Sequence, residues 1–359
     1  MSEGEKLRYC LDSLVNQTIG IDKNTAERKV DIYEIIAVDD CSTDNSYEIL
    51  KEYEEKYRWL VKVIKSPENL HQGGAKNIGL AVAKGEWLGF IDSDDWVTSD
   101  YYERLIYEAE STGADMSGCD YHLTDRHDDH IGSIVHNGSR EMSGILDREK
   151  YKRLLLDGGS LVVKVYRREI ILGDIKPIEE GKDPFENRLS IFPEKIFYED
   201  NAVRSTWMLR AHGFAYIEEP LYSYYQHSAS TVHSISNQNL CDRMTAGRMM
   251  LEESKKKGYF EAYREEIEYL FIRLFYVNTL FSAMPKNQRI KNRYSIAKEL
   301  VREVKKIFPD FQKNKYYRER VHEEEKRLIA MQIRSHFCFY FYYKLLWSYR
   351  FVRSKLRIG

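Results

Sequence analysis

Five cysteines in 359 residues, none in a CxxC pair, leave neither a zinc site nor a disulfide framework and indicate a reducing compartment. Charge of one sign is missing too. The 55 basic and 57 acidic residues give a formal net charge of −2, so nucleic acid is not the default partner. No secretory signal opens the chain, because Met1 to Arg8 is polar and leads into an amphipathic segment. No apolar run reaches spanning length; the nearest, Phe337 to Tyr349, is interrupted by Lys344. These absences predict a cytoplasmic protein. Repeats and low-complexity tracts are absent as well. Acidic residues are missing from 333–359, where Arg334, Lys344, Arg350, Arg353, Lys355 and Arg357 sit among aromatics. That tail reads either as a terminal helix packing its aromatics inward or as a peripheral contact with the inner face of an anionic plasma membrane.

What is present is an ordinary globular balance, 43% hydrophobic and 31% charged, in a chain long enough for two domains. From residue 5 to about 118 helical and strand patterns alternate. Leu7, Leu11, Leu14 and Val15 recur at helical spacing, and Ile32 to Val38 is an apolar run of strand length. Ser42 or Thr43 can cap a following helix. Further strands are expected at 60–64 and 86–91, with helices at 75–83 and 101–110. Such alternation predicts an α/β fold with a mostly parallel sheet and flanking helices. Beyond 119 the pattern loosens. It suggests a hairpin around 125–130, helices at 147–156 and 201–211, a mobile loop at 183–193, and strands at 214–217 and 222–225. After about 236 the chain is helical, with long helices expected at 260–283, 288–307 and 316–333. The expected division is 1–235 and 236–359.

Five segments carry candidate chemistry. Asp92-Ser93-Asp94-Asp95 packs three carboxylates behind the apolar run from Trp87. They repel one another, so a fold keeps them together where a cation or donors neutralise them. At the carboxyl end of a strand, where open α/β sheets bind ligands, they could hold a Mn2+ or Mg2+ ion that grips a diphosphate. An acidic helix start is the structural alternative. Asp39-Asp40 likewise ends a strand and could accept from a nucleobase or ribose, or merely precede a cap. Asn69 to Gly79 combines Gly73-Gly74 with Lys76 and Asn77. Its glycines permit close backbone approach, a helix from Ala75 offers amides, and Lys76 could contact a phosphate. Glu199-Asp200 opens a helix and suits a general base or an N-cap. His227 could steady a diphosphate, complete a metal shell, or be an ordinary surface histidine.

In this order the segments resemble the family 2 glycosyltransferases of the GT-A fold, a Rossmann-like architecture. The matching stretches are Cys10 to Thr18, VDDCSTDNS, ENLHQGGAKNIGL, GEWLGFIDSDD, YED and LYSYYQHSAST, roughly residues 5–235. The resemblance implies that Asp40 binds the base and Asp94 the ribose of a nucleotide sugar. It implies that Asp95 ligates Mn2+ or Mg2+ with Asp92 nearby, Asp94 and His227 contributing, and that Asp200 is the catalytic base. Asp39, Gly74, Lys76, Asn77 and His227 would complete the nucleotide-sugar site, Lys76 standing where an arginine is common. The implied reaction is an inverting transfer from a nucleotide-sugar donor, a UDP-sugar by expectation. The acceptor would be a hydroxyl of a glycan or lipid-linked molecule in cell-surface polysaccharide synthesis.

Two departures accompany the match. Family members normally begin with an apolar strand, central in the sheet, before the segment matching Glu3 to Lys6. Here Met1 stands almost at that point, so the first family strand is missing, and a misassigned start is the expected reason. Unpaired edges and an apolar slot should follow. Gly20 to Val30 is a polar insertion. The competing readings are a nucleotidyltransferase and a degenerate, non-catalytic family member serving as a membrane-associated assembly partner. The first lacks its glycine-rich loop with a basic residue near the N-terminus; the intact carboxylates oppose the second.

Overall fold

The computed structural model describes residues 3–22, 25, 32–125, 132–226, 235–286 and 288–355. The chain forms two compact units, residues 1–228 and 229–359.

The first unit opens with α1 (Glu3–Val15), whose Leu7, Leu11 and Leu14 fall on one stripe and are all buried, as helical periodicity requires. β1 (Ile35–Asp39) and β2 (Val61–Lys65) pair in parallel, from Ile35 opposite Val61 to Asp39 opposite Lys65. Between them α2 (Ser46–Lys56) starts later than the expected Ser42 or Thr43 cap. Asp44 Oδ1 instead accepts from the Ser46 amide at 3.0 Å. α3 (His71–Val82) starts four residues before the expected Ala75, because its first turn absorbs both glycines. A Cβ on Gly74 would stand 2.1 Å from Leu70 Cβ, and one on Gly73 2.0 Å from the Pro193 carbonyl oxygen.

The second sheet takes β3 (Trp87–Gly89), β4 (Trp96–Val97), β5 (Met116–Thr124), β8 (Lys164–Arg167) and β9 (Gly213–Tyr225) in the order β3-β8-β5-β9-β4. The short β6 (Ser133–Val135) and β7 (Gly144–Ile145) join β5 and β9. Only the β5–β9 pair is parallel in this sheet, so the architecture is mixed, not mostly parallel. The cause is β8, which comes from the irregular middle of the sequence and wedges antiparallel between β3 and β5. The helices of this unit are completed by α4 (Tyr101–Thr112), α5 (Arg148–Asp157), α6 (Arg168–Leu172) and α7 (Glu199–Arg210). The two strands expected at 214–217 and 222–225 are one strand. Its register slips opposite Cys119–Tyr121, which accommodates Pro220, as a bulge can.

Among the described residues β1 pairs only with β2, and β3 only with β8, so the two sheets are not joined. The unpaired edges expected from the sequence are therefore present. Asp39, at the end of β1, is 1% exposed, and neither of its carboxylate oxygens has a hydrogen-bond partner. The segment 183–193, expected to be a mobile loop, contributes a core residue instead. Phe192 is buried against Phe90 and Trp207 at ring separations of 5.7 and 5.2 Å.

The second unit is helical: α8 (Asn237–Lys256), α9 (Tyr259–Ala262), α10 (Arg264–Phe271), α11 (Thr279–Ala283), α12 (Arg293–Ile307), α13 (Lys315–Arg320), α14 (Glu323–Arg334) and α15 (His336–Lys355). The single helix expected over 260–283 is interrupted by a π-helical segment, Ile272–Asn278. Phe271, Ile272, Phe275, Tyr276 and Val277 are all buried there, more apolar bulk than one face of an α-helix can bury. Gln332 donates to the Ala297 carbonyl at 2.7 Å and accepts from the Tyr276 hydroxyl at 2.6 Å, tying α14 to α12 and the π segment. Among the described residues no helix is long and apolar enough to cross a membrane.

Candidate active site

The end of β1, the start of α3, the turn between β3 and β4, and the first turn of α7 supply the site residues. Asp92, Asp94 and Asp95 occupy the β3–β4 turn, closed by the Asp95 amide donating to the Asp92 carbonyl at 3.0 Å. Asp95 is the buried member, 1% exposed; its oxygens accept from the Tyr222 hydroxyl at 2.5 Å and the Tyr225 amide at 2.8 Å. Burial, then Asp92 and Asp94, push its carboxyl well above the usual range, against the pull of those two donors. Asp92 is also pushed up, chiefly by burial; Lys76 opposes, while Asp94, Glu199 and Asp200 add to the rise.

Lys76 Nζ lies 2.6 Å from Glu199 Oε1 and 5.4 Å from the centre of the Phe192 ring. Burial by itself would lower this ammonium, but Glu199, Asp92 and Asp200 hold it above its ordinary value. The sequence offered Lys76 to a phosphate. The structure gives it a buried carboxylate, and the pair locks α3 to the first turn of α7. Asp200, half-buried, accepts from Asn201 Nδ2 at 2.8 Å. It is not an N-cap, because Tyr198 occupies that position and Asp200 lies inside the helix.

Asp40 is tied to the start of α3. Its Oδ1 accepts from the Leu70 amide at 2.8 Å and its carbonyl from Asn69 Nδ2 at 3.2 Å. Burial raises the Asp40 carboxyl, with the Leu70 and His71 amides opposing. Two of the candidates have packing partners within the fold. Asn77 has no side-chain atom left for a donor: its Oδ1 accepts from the Ile191 and Phe192 amides at 3.1 and 2.9 Å, and its Nδ2 donates to the Phe192 carbonyl at 2.9 Å. Gly74 packs against Leu70, which leaves no room for a Cβ at that position. His227 lies outside the described residues.

Sequence reasoning missed Glu199 as the partner of Lys76 and Tyr222 as the clamp on Asp95. It also missed the backbone. Of the five described non-glycine residues with positive φ, Cys41, His71, Lys195 and Tyr198 flank these segments. Such conformations cost energy and cluster at functional sites.

Among the described residues no three His, Cys, Asp or Glu side chains group closely enough to enclose a metal. The donors do not fit a protein-only cage. They fit an ion held by one or two carboxylates whose remaining shell comes from phosphate oxygens and water, as Mg2+ is usually held. Burial raises Asp92 and Asp95, and neighbouring carboxylates, Asp94 on both, raise them further; that uncompensated negative charge is what such an ion relieves.

Comparison with known proteins matches residues 2–172 to the Glycosyl transferase family 2 model. EpsH of Bacillus subtilis (strain 168), itself a provisional glycosyltransferase, is 30% identical over 272 residues, 73% of this chain and 69% of EpsH. YibD of Escherichia coli (strain K12), an uncharacterized glycosyltransferase, is 29% identical over 248 residues, 66% of this chain and 63% of YibD. The matched part is thus a little under two thirds of YibD. Among solved structures, S. aureus TarS 1–349 in complex with UDP-GlcNAc superposes with a TM-score of 0.52 at 16% identity, covering 90% of this chain and 91% of that one.

Proposed function

The chain belongs to the family 2 glycosyltransferases and has the GT-A fold, and on that premise we propose an inverting transfer from a nucleoside-diphosphate sugar to an acceptor hydroxyl. The acceptor is a glycan or lipid-linked molecule of cell-surface polysaccharide synthesis. TarS is solved with UDP-GlcNAc, which makes UDP-sugars the first donors to test. One observation carries the reading: Lys76, Asp92, Glu199 and Asp200, from three separate stretches, act electrostatically on one another in one place, with Lys76 Nζ 2.6 Å from Glu199 Oε1. A fold gathers so much negative charge around one lysine where a further cation and its ligand complete the balance.

In this reading Asp200 takes the proton of the acceptor hydroxyl as the new C–O bond forms and the bond to the diphosphate breaks. The Lys76–Glu199 pair fixes the helical turn that aims Asp200. Asp40 and Asp94 receive the base and ribose, with Asp39 beneath them, while Asp92 and the proposed His227 border the diphosphate. A divalent ion on Asp94 and Asp95 would supply charge stabilisation for the leaving diphosphate. Asp95, gripped by Tyr222, orients that turn. The test is Asp200→Asn across a nucleotide-sugar panel. Transfer should fall about 10²–10⁴-fold, the usual worth of a general base, with UDP binding retained. Parental rates in the folded variant would remove Asp200 from the mechanism.

A second part of the reading concerns α15. Phe339, Tyr343 and Trp347 are buried, whereas Phe337, Phe341, Leu345 and Tyr349, each four residues apart, are exposed. Exposed Lys344, Arg350 and Arg353 accompany that stripe and no acidic residue does. The charge complementarity favours the surface of an anionic bilayer as its partner.

A further inference from the structure

A second polar cluster lies one helical turn along α7 from Asp200, and the donor-site reading does not use it. Arg204 follows Asp200 by four residues, so the two share a helix face. Burial raises the Tyr166 phenol, Arg204 opposes and Asp200 adds, so both charges act on the same phenol. Arg204 donates through Nη1 to the Gly159 carbonyl, while its Nε is buried with no hydrogen-bond partner. Asn137, 3% exposed, accepts from the Ser160 amide through Oδ1 at 2.8 Å and leaves Nδ2 buried and unpartnered. Gly159 must be glycine: its φ is +58° and a Cβ would stand 1.5 Å from Asn137 Oδ1. Beneath this turn the buried Lys164 donates to the Ser160 carbonyl at 2.6 Å.

The two unsatisfied atoms here, Arg204 Nε and Asn137 Nδ2, are both donors, and they lie near the buried ammonium of Lys164. Burial and the Arg204 charge push Lys164 down to about 7, with no carboxylate countering them. The nearby acid, Asp120, is already taken by Tyr216, His136 and the Asn137 amide. Unsatisfied buried donors cost about 1–3 kcal/mol each, and a buried cation needs a partner. Gly159, Ser160 and Arg204 are half-exposed, so a ligand can reach the turn from solvent.

We propose that Arg204, Asn137 and the Gly159–Ser160 turn form an anion subsite that takes a phosphate or carboxylate group of the sugar acceptor. The assignment to the acceptor rests on the reading of Asp200 as its base; the same chemistry on the donor, a diphosphate or a uronic acid, is separated by the test. An acceptor held here by its anion presents a neighbouring hydroxyl toward Asp200.

The probe is inorganic phosphate, titrated by calorimetry at constant ionic strength into the full chain, with and without saturating UDP and Mn2+. Phosphate should bind saturably, persist with UDP present, and weaken about tenfold or more in Arg204→Met, the loss of one charged hydrogen bond. Arg204→Lys, which keeps the charge and loses the fork, should fall between. UDP binding should stay within about twofold in both variants. Phosphate displaced by UDP places it at the donor diphosphate and overturns the proposal. Binding no better than chloride, as where waters fill the turn, or binding unchanged in Arg204→Met, also overturns it. Phosphate bound at Arg204 in a protein that binds no nucleotide would keep the anion site and sink the acceptor assignment.

Discussion

At the scale of single residues the acidic positions were legible and their partners were not. Asp92, Asp94 and Asp95 behind an apolar strand have a local composition that asks for an external cation, whatever the fold. Lys76 gave no such signal, because Glu199 lies 123 residues further on and only the tertiary structure sets them together. Lys164 was equally silent: a lysine in a short strand looks like an edge charge, yet it is wholly buried. Its folded-state proton affinity sits near pH 7 against 10.5 ordinarily. Between those values the unfolded chain binds the proton and the folded chain does not, so stability rises with pH through this window. Below pH 7 both states are charged and the burial penalty is present in full. Lys164→Met should therefore stabilise the phosphate-free protein by on the order of a few kcal/mol at pH 6.5, less about 1 kcal/mol for the abandoned Ser160 carbonyl. The gain should shrink toward pH 9.5. Thermal melts at the two pH values check this, and an equal effect at both would show that Lys164 is solvated.

At the scale of elements, periodicity located most helices and strands of the first unit but not their partners. A strand pattern reports which face is buried, not which neighbour arrives later in the chain, and so β8 between β3 and β5 was invisible. The glycines misled for a related reason. Gly73-Gly74 looked like a turn before a helix, whereas close packing against Pro193 and Leu70 is what requires them. That contact and Asn77 fasten segment 188–194 to α3. Asn77→Ala leaves the Ile191 and Phe192 amides and the Phe192 carbonyl unpaired, at about 1–3 kcal/mol apiece where no water replaces them. Hydrogen exchange over 188–194 should quicken, and proteolysis there should rise, while β5 and β9 stay protected. Unchanged exchange in 188–194 would mean that Phe192 packing holds the segment without Asn77.

At the scale of the whole molecule, the order of the acidic segments was enough to anticipate the fold class. The unpaired edges between β1–β2 and the larger sheet were expected as well, but not that Asp39 would be buried and unpartnered at the end of β1. The helical second unit was readable as helices, but its breaks were not, since they follow from how much bulk each helix must bury. The exposed stripe of α15 yields a separable expectation. Phe341→Glu with Leu345→Glu should abolish sedimentation of the protein with phosphatidylglycerol vesicles and leave its melting temperature within a degree or two, because both side chains are already in solvent. Equal binding to neutral phosphatidylcholine vesicles would remove the electrostatic part of that reading.

The carboxylate turn is the centre of the account, and calorimetry of Mn2+ against the full chain, with and without UDP, addresses it most directly. If, as proposed, the protein supplies only part of a coordination shell, Mn2+ by itself should give little heat, Mn2+ with UDP should bind tightly, and Asp94→Ala should lose that joint binding. Mn2+ binding as tight without nucleotide as with it, or joint binding untouched by Asp94→Ala, would contradict a donor site built on this turn.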